Sequence, residues 1–321
     1  MTASALSWTP ATMATNASRV IMPHMIWLAE MFSDPYFGGM KRRDFIQTVG
    51  AAAAGGILAR SPFGAAKKLD RIGLETYAVR HAMAENPERT LAAVRAIGYT
   101  DVELLWSFNL FGRTPAQVAA TLKNEGLRAP SCHMSAETIF VGWERSLETA
   151  KLLGHQYLVV PDFEDWTKQT LDDWREWADR FNAAGAVARK ADIWLAFHNE
   201  AYHQKPIDGQ IPFDVFINRL DPTVTRLQLD VGNMLIGGGD PMQYLQTYPD
   251  RFWLFHLKDA VADRSHDTGL GKGIFDFKRF LAAVPHLEQK PAYVEQETAK
   301  DSGGDMADAR ANFEYLHALE F

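Results

Sequence analysis

The chain has 321 residues, 47% of them hydrophobic, and a formal net charge of -7, a globular composition that suits one large domain plus a leader better than two small domains. The mild acidity, with no stripe of lysine and arginine interleaved with aromatics, argues against nucleic acid as the main partner. The single cysteine, Cys132, excludes an intramolecular disulfide and a cysteine-based zinc site, and at a strand end it reads as a small core residue.

In chain order, the first segment does not read as fold. Residues 1–39 contain Met1, Met13, Met22, Met25 and Met31 without a clear pattern, and are expected to be a gene-start artefact or a disordered extension, with Met40 the true start. Met40-Lys41-Arg42-Arg43-Asp44-Phe45-Ile46-Gln47 then precedes the small, apolar run Val49–Leu58. Two adjacent arginines before a weakly hydrophobic stretch resemble a twin-arginine export signal over residues 40–66, with cleavage near Gly64-Ala65-Ala66. The run is too short to span a membrane stably, so no span is expected after cleavage. Such a signal exports folded proteins. It predicts a periplasmic protein that takes up any metal before export.

From Leu69 onward, short apolar runs alternate with longer amphipathic ones. Eight runs are predicted as strands: Ile72–Tyr77, Asp101–Leu105, Arg128–His133, Tyr157–Pro161, Ile193–Asn199, Arg226–Asp230, Trp253–Leu257 and Ala292–Glu295. Their shortness suits strands buried on both faces. Helices are predicted over Pro87–Ile97, Thr114–Glu125, Glu144–Leu153 and Leu171–Lys190, and over Asp276–Leu281 and Asp305–Leu319 near the end. Thr114-Pro115 supplies an N-cap followed by proline at the first helical position, and Gly98 and Gly126 stand where C-caps belong. This alternation predicts an α/β protein, a parallel (β/α)8 TIM barrel over residues 69–321. An open doubly wound sheet would want a glycine-rich phosphate turn after an early strand, and none follows Ile72–Tyr77.

The polar residues gather at the C-terminal ends of the predicted strands, which in a barrel share one mouth. Strand 1 ends near Glu75 and Arg80, strand 2 carries Glu103, and strand 3 ends in His133. Strand 5 ends in His198-Asn199-Glu200 with His203 following, strand 6 in Asp230-Val231-Gly232-Asn233, strand 7 in His256-Leu257-Lys258-Asp259, and strand 8 in Glu295-Gln296-Glu297. Converging carboxylates and imidazoles are costly unless paired, and a divalent cation resolves that cost. Mixed oxygen and nitrogen ligands favour Mn, Zn, Co or Fe(II) over Mg.

Four of these motifs, in this order, resemble the xylose isomerase-like barrels, also called the sugar phosphate isomerase/epimerase superfamily: His198-Asn199, Leu229-Asp230, His256-Leu257-Lys258-Asp259 and Val294-Glu295-Gln296-Glu297. Gly271-Lys272-Gly273-Ile274-Phe275-Asp276-Phe277 resembles the family's loop before its last helix, and Gly73-Leu74-Glu75-Thr76-Tyr77 resembles the first strand of a subgroup with export signals. The resemblance implies that Asp230, His256 and Glu295 bind a divalent metal. The family's fourth ligand, a glutamate in the epimerases, comes from strand 5. Many relatives read His-Asn-His with Glu three residues on, whereas this chain reads His198-Asn199-Glu200 and then His203. Period-two geometry puts His198 and Glu200 on one side of the strand, so either is a candidate ligand.

The chemistry the resemblance implies is proton abstraction next to a carbonyl with a metal-stabilised enediolate, carried out by a sugar isomerase or epimerase. Glu295 is one expected catalytic carboxylate. Since His198 stands where an epimerase has its second, a lyase or hydratase acting on a keto-sugar or 3-keto-glycoside is the alternative, with Glu200, His133 and Lys258 as candidates for the second group. Lys258 has a competing reading as an ion-pair partner of Asp259. Glu103 and Arg80 are expected as substrate contacts or as pairs within the barrel, and Asn199, Asn233 and Trp106 as substrate contacts. Trp106, Phe108, Trp166 and Tyr202 are candidates to stack on a sugar ring. The expected partner is a small, unphosphorylated carbohydrate; self-association as a homo-oligomer is left open. A non-catalytic sugar-binding barrel would lack the metal residues, and a nuclease of the abasic-site type would want a basic surface.

Overall fold

The protein is described by a computed structural model over residues 67–298 and 303–321. The expected extension (1–39) and export signal (40–66) lie outside the described residues. Eight parallel strands form the barrel: β1 (Gly73–Glu75), β2 (Asp101–Leu105), β3 (Arg128–His133), β4 (Tyr157–Val160), β5 (Trp194–His198), β6 (Thr225–Asp230), β7 (Phe252–Leu257) and, after the short ribbon of β8 (Asp259–Ala260) and β9 (Asp267–Thr268), β10 (Ala292–Val294). Each pairs with its sequence neighbour, and β1 closes on β10 through Gly73 opposite Tyr293.

The helices around the barrel are α1 (Arg80–Glu85), α2 (Pro87–Ile97), α3 (Pro115–Glu125), α4 (Trp143–Leu153), α5 (Leu171–Arg189), α6 (Pro212–Arg219), α7 (Val231–Ile236), α8 (Pro241–Thr247), α9 (Phe277–Ala283) and α10 (Asp305–Ala318). Their limits follow the capping chemistry. Thr114 and Gln117 form a capping box at the start of α3, and Gly126 ends that helix at φ +66°, a left-handed conformation that suits glycine. Among the described residues, no helix is long and apolar enough to cross a membrane.

The expected strands hold their places but some are shorter. β4 stops before Pro161, which has no N–H for the ladder. β10 stops before Glu295, whose N–H still donates to Leu257 O. The ribbon of β8 and β9 is not foreseen by periodicity, because two-residue strands carry no pattern.

Inward-facing residues change character along the barrel axis. A lower layer of Tyr157, Val159, Ala196, Leu254 and Tyr293 forms a small apolar cluster, while the larger core lies between strands and helices. Two residues further along their strands, Ala196, Leu254 and Tyr293 give way to His198, His256 and Glu295. The apolar layer is thus a floor beneath a polar mouth.

Candidate metal centre

His198 ends β5, Asp230 ends β6, His256 is the penultimate residue of β7, and Glu295 directly follows β10. One donor atom from each lies within 4.8 Å of all the others, and all four residues are buried. The convergence follows from period-two alternation on strands of one closed barrel, where Asp230 sits opposite His256 in the register.

The partners of these atoms test whether a cation fits. Neither ring nitrogen of His198 has a hydrogen-bond partner. His198 Nε2 stands 3.5 Å from Asp230 Oδ2. A buried ring left this way is costly, and a cation that takes the imidazole lone pair removes part of the cost. Burial pushes the His198 imidazole down to about 4, so it stays neutral with a lone pair to give. Two imidazoles and two carboxylates are a donor set suited to zinc or manganese.

A second group, Glu103, His133 and His256, also has its donor atoms close together, but there they are bonded to protein. His133 Nε2 meets Gln228 Oε1 at 2.8 Å, and Gln228 Nε2 donates to both Glu103 oxygens at 3.1 and 3.0 Å. Glu103 Oε2 takes His256 Nε2 at 2.5 Å, leaving His256 Nδ1 directed to the first group, 2.8 Å from Glu295 Oε2. This is the carboxylate–histidine pairing that orients a ligating imidazole. Burial alone would raise the Glu103 carboxyl, but the rings of His133 and His256 outweigh it and bring it down to about 2. Burial likewise opposes charge on His256, yet Glu295 and Glu103 raise it to about 10. For Glu295, the charges of Lys258 and His256 overcome burial and hold the carboxyl well below its usual range.

The other expected residues divide into several environments. Glu103 pairs within the barrel. His133 lies beneath the mouth, its ring stacked on His256 at 5.2 Å and its Nδ1 3.4 Å from Glu75 Oε1. Asn199 is used up by backbone, bonding both the N–H and the C=O of Asp230 (2.9 and 3.0 Å). Asn233 donates to Glu200 Oε2 at 3.1 Å and accepts from Lys258 Nζ at 3.1 Å. Glu200 lies at the edge of the group, its Oε1 3.6 Å from His198 Nδ1. Of the two alternatives on strand 5, the His198 ring is therefore the one inside the four-residue group. Burial and the carboxylates of Glu297 and Glu295 push Glu200 up to about 8 against the opposing charge of Lys258.

Arg80 sits on the rim. It lies over the Tyr77 ring at 4.1 Å and donates to Tyr77 O at 2.9 Å and Glu297 O at 3.2 Å. Trp106 packs beside His155 on the turn into β4, with ring centres 5.6 Å apart.

Lys258 corrects one reading of the sequence. Its ammonium does not pair with the adjacent Asp259. It lies 2.9 Å from Asp230 Oδ2, 2.9 Å from Glu295 Oε2, and against Glu297. Asp259 instead accepts the N–H groups of Ala260, Gly271, Gly273 and Phe275, at 2.9 to 3.1 Å. The glycine-rich turn therefore binds an anion, and the anion is the protein's own.

Two contributors, Gln228 and Asp162, escape the sequence reading of the site, and a third, Glu75, is placed at the mouth by the sequence but given no role there. Glu75 is buried against Glu295, and burial, with the charges of Glu295 and Glu103, pushes its carboxyl well up. Gln228 links Glu103 to His133, and its signal was available: it lies two residues before Asp230 on the same strand face. Asp162 accepts from His203 Nε2 at 2.8 Å, while His203 Nδ1 takes the Glu200 N–H at 3.0 Å and so fixes the backbone of that residue.

A family model described as "Xylose isomerase-like TIM barrel" matches residues 91–319. The chain belongs to this family. It is 24% identical over 200 residues to an inosose dehydratase of Geobacillus kaustophilus (strain HTA426), a match covering 55% of this chain and 63% of that protein. An inosose dehydratase of Clostridium tetani (strain Massachusetts / E88) matches at 28% over 104 residues, 32% of this chain and 34% of that one. The chain thus spans less than two thirds of the length of these curated relatives. Among solved structures, a sugar phosphate isomerase/epimerase from Parabacteroides distasonis ATCC 8503 superposes with a TM-score of 0.67 at 23% identity, covering 81% of this chain and 98% of that one. The IOLI protein, solved with a bound zinc atom, gives 0.60 at 13% identity, covering 77% and 96%. These likenesses place the xylose isomerase-like barrel on firm ground as a fold.

Proposed function

We propose that this xylose isomerase-like barrel is a divalent-metal-dependent enzyme that moves a proton next to a carbonyl on an unphosphorylated sugar or related polyol, as a sugar isomerase or epimerase does. The observation that carries the reading is the buried set His198, Asp230, His256 and Glu295, in which His198 offers two unpartnered nitrogens. A divalent cation held there supplies a Lewis acid that polarises the carbonyl and stabilises the negative charge beside it.

The chain's own groups then divide the work. Glu103, held by Gln228, fixes the His256 ring, and Asn199 fixes Asp230. Glu295 is ionised and takes the proton. Glu200, pushed up to about 8, carries a proton at neutral pH and is positioned by Asn233 and by the His203–Asp162 pair to donate it.

A second reading, a carbon–oxygen lyase, needs the same pair: one ionised and one protonated carboxyl group serves either two-base epimerisation, in which the protonated group returns a proton to the opposite face, or proton abstraction followed by loss of a hydroxyl or alkoxide as its conjugate acid. The inosose dehydratase relatives support this second reading. The twin-arginine motif supports export to the periplasm and hence an unphosphorylated substrate, as does the glycine-rich turn, already occupied by Asp259.

The test is solvent exchange. The metal-loaded barrel is incubated in deuterated water with keto-sugars and keto-glycosides, and NMR follows deuterium at the carbon next to the carbonyl. Exchange is expected for the wild type and a loss of at least about 100-fold for Glu295→Gln. Exchange with an isomeric product marks an isomerase, and an unsaturated ketone marks a lyase. Absence of exchange across the panel would contradict both.

A further inference from the structure

We infer that the Lys258 ammonium is an internal counter-ion, holding Asp230 and Glu295 in the metal-free protein and moving off them, toward Glu297 and Asn233, when a divalent cation binds. The inference rests on the metal reading above and concerns a residue outside the four-residue group.

The geometry is specific. Lys258 is 1% exposed, and its Nζ lies 2.9 Å from one oxygen of each carboxylate in that group. Without that charge, Asp230 and Glu295 would be two buried carboxylates facing a neutral His198, with His256 the one remaining cation between them. A divalent ion on the same two oxygens repels an ammonium seated at hydrogen-bond distance from them in a low-dielectric interior. The receiving position already exists: Nζ also touches the partly exposed Glu297 carboxylate and lies 3.1 Å from Asn233 Oδ1. The base of the side chain is fixed, since a Cβ on Gly232 would fall 2.5 Å from Lys258 Cγ. Only the outer methylenes and the ammonium need to turn. The barrel thus carries its own cation for the interval between folding and metal uptake.

A permanent structural ion pair makes the opposite prediction. If Lys258 simply held the carboxylates in place, removing it would loosen the ligands and weaken metal binding. If it competes with the metal, removing it tightens binding and destabilises the metal-free state. The experiment uses the full chain stripped by chelation, titrated calorimetrically with Zn²⁺, alongside thermal melts with and without metal. Lys258→Met is expected to melt lower than wild type when stripped, to bind Zn²⁺ at least about tenfold more tightly, and to gain more in Tm from the metal. Lys258→Arg, which keeps the charge, is expected to show no tightening. Lys258→Gln, whose amide still donates one hydrogen bond, is the second neutral variant should the methionine not fold stripped, with the same tightening expected. Equal or weaker Zn²⁺ binding in a folded neutral variant overturns the inference and leaves the proposed function standing. A wild type that takes up no Zn²⁺ overturns the proposed function itself.

Discussion

His198 and His256 stand 4.8 Å apart, ring centre to ring centre, yet hold opposite protonation states. Burial takes His198 down to about 4, where nothing nearby outweighs it. His256 is as deeply buried, but Glu295 on one nitrogen and Glu103 on the other take it up to about 10. The metal-free His256 is thus an imidazolium, and only the Nδ1 proton has to leave for it to become a ligand. Its folded-state pKa is raised, so its contribution to metal-free stability is full below about 6.5 and is lost as pH rises toward about 10. Metal affinity runs the other way, because uptake releases that proton. Between pH 6 and 8 the apparent Kd for Zn²⁺ is expected to fall by up to about tenfold per pH unit, and calorimetry in buffers of different ionisation enthalpy should count close to one proton released. A pH-independent Kd with no proton release would show that His256 is already neutral.

Between residue and barrel, the loop after β7 shows how an element is built around one side chain. Asp259 draws four backbone N–H groups onto its carboxylate, and a Cβ on Gly273 would fall 2.2 Å from Asp259 Oδ1. Gly273→Ala is therefore expected to cost about 1–3 kcal/mol, seen as a drop in Tm of several degrees, while His198, Asp230, His256 and Glu295 keep their places and any metal content is unchanged. An unchanged Tm would mean that the loop does not close on Asp259 as described. The motif around Gly271 and Gly273 stood out in the sequence, but its anion did not, because the contact joins residues 12 to 14 positions apart through a turn that no local pattern encodes. Lys258 was hidden differently. Adjacency suggested Asp259 as its partner, whereas backbone N–H groups take up the Asp259 carboxylate and the ammonium meets Asp230 and Glu295 across the barrel. Period-two alternation along β6 made Gln228 legible from Asp230.

For the molecule as a whole, the barrel and the order of its eight strands were legible because proline, glycine and capping residues punctuate the chain and because strands buried on both faces read as short apolar runs. The convergence of polar residues on one mouth followed from that topology. Which of them would be saturated by protein did not follow, since that depends on closure: the approach of Glu75 to Glu295 exists only because β1 pairs with β10. The described barrel therefore holds two adjacent acid–histidine groups, one satisfied by its own hydrogen bonds and one with nitrogens to spare. The second group is expected to hold one divalent ion. Elemental analysis of the purified protein tests it most directly, with Asp230→Asn as the control, since asparagine keeps an oxygen to accept the Asn233 N–H at the start of α7 while losing the charge. About one divalent ion per chain is expected in the wild type and almost none in the variant, both folded. A well-folded wild type that holds no metal after exposure to Mn²⁺ and Zn²⁺, or a variant that holds as much as the wild type, would contradict it.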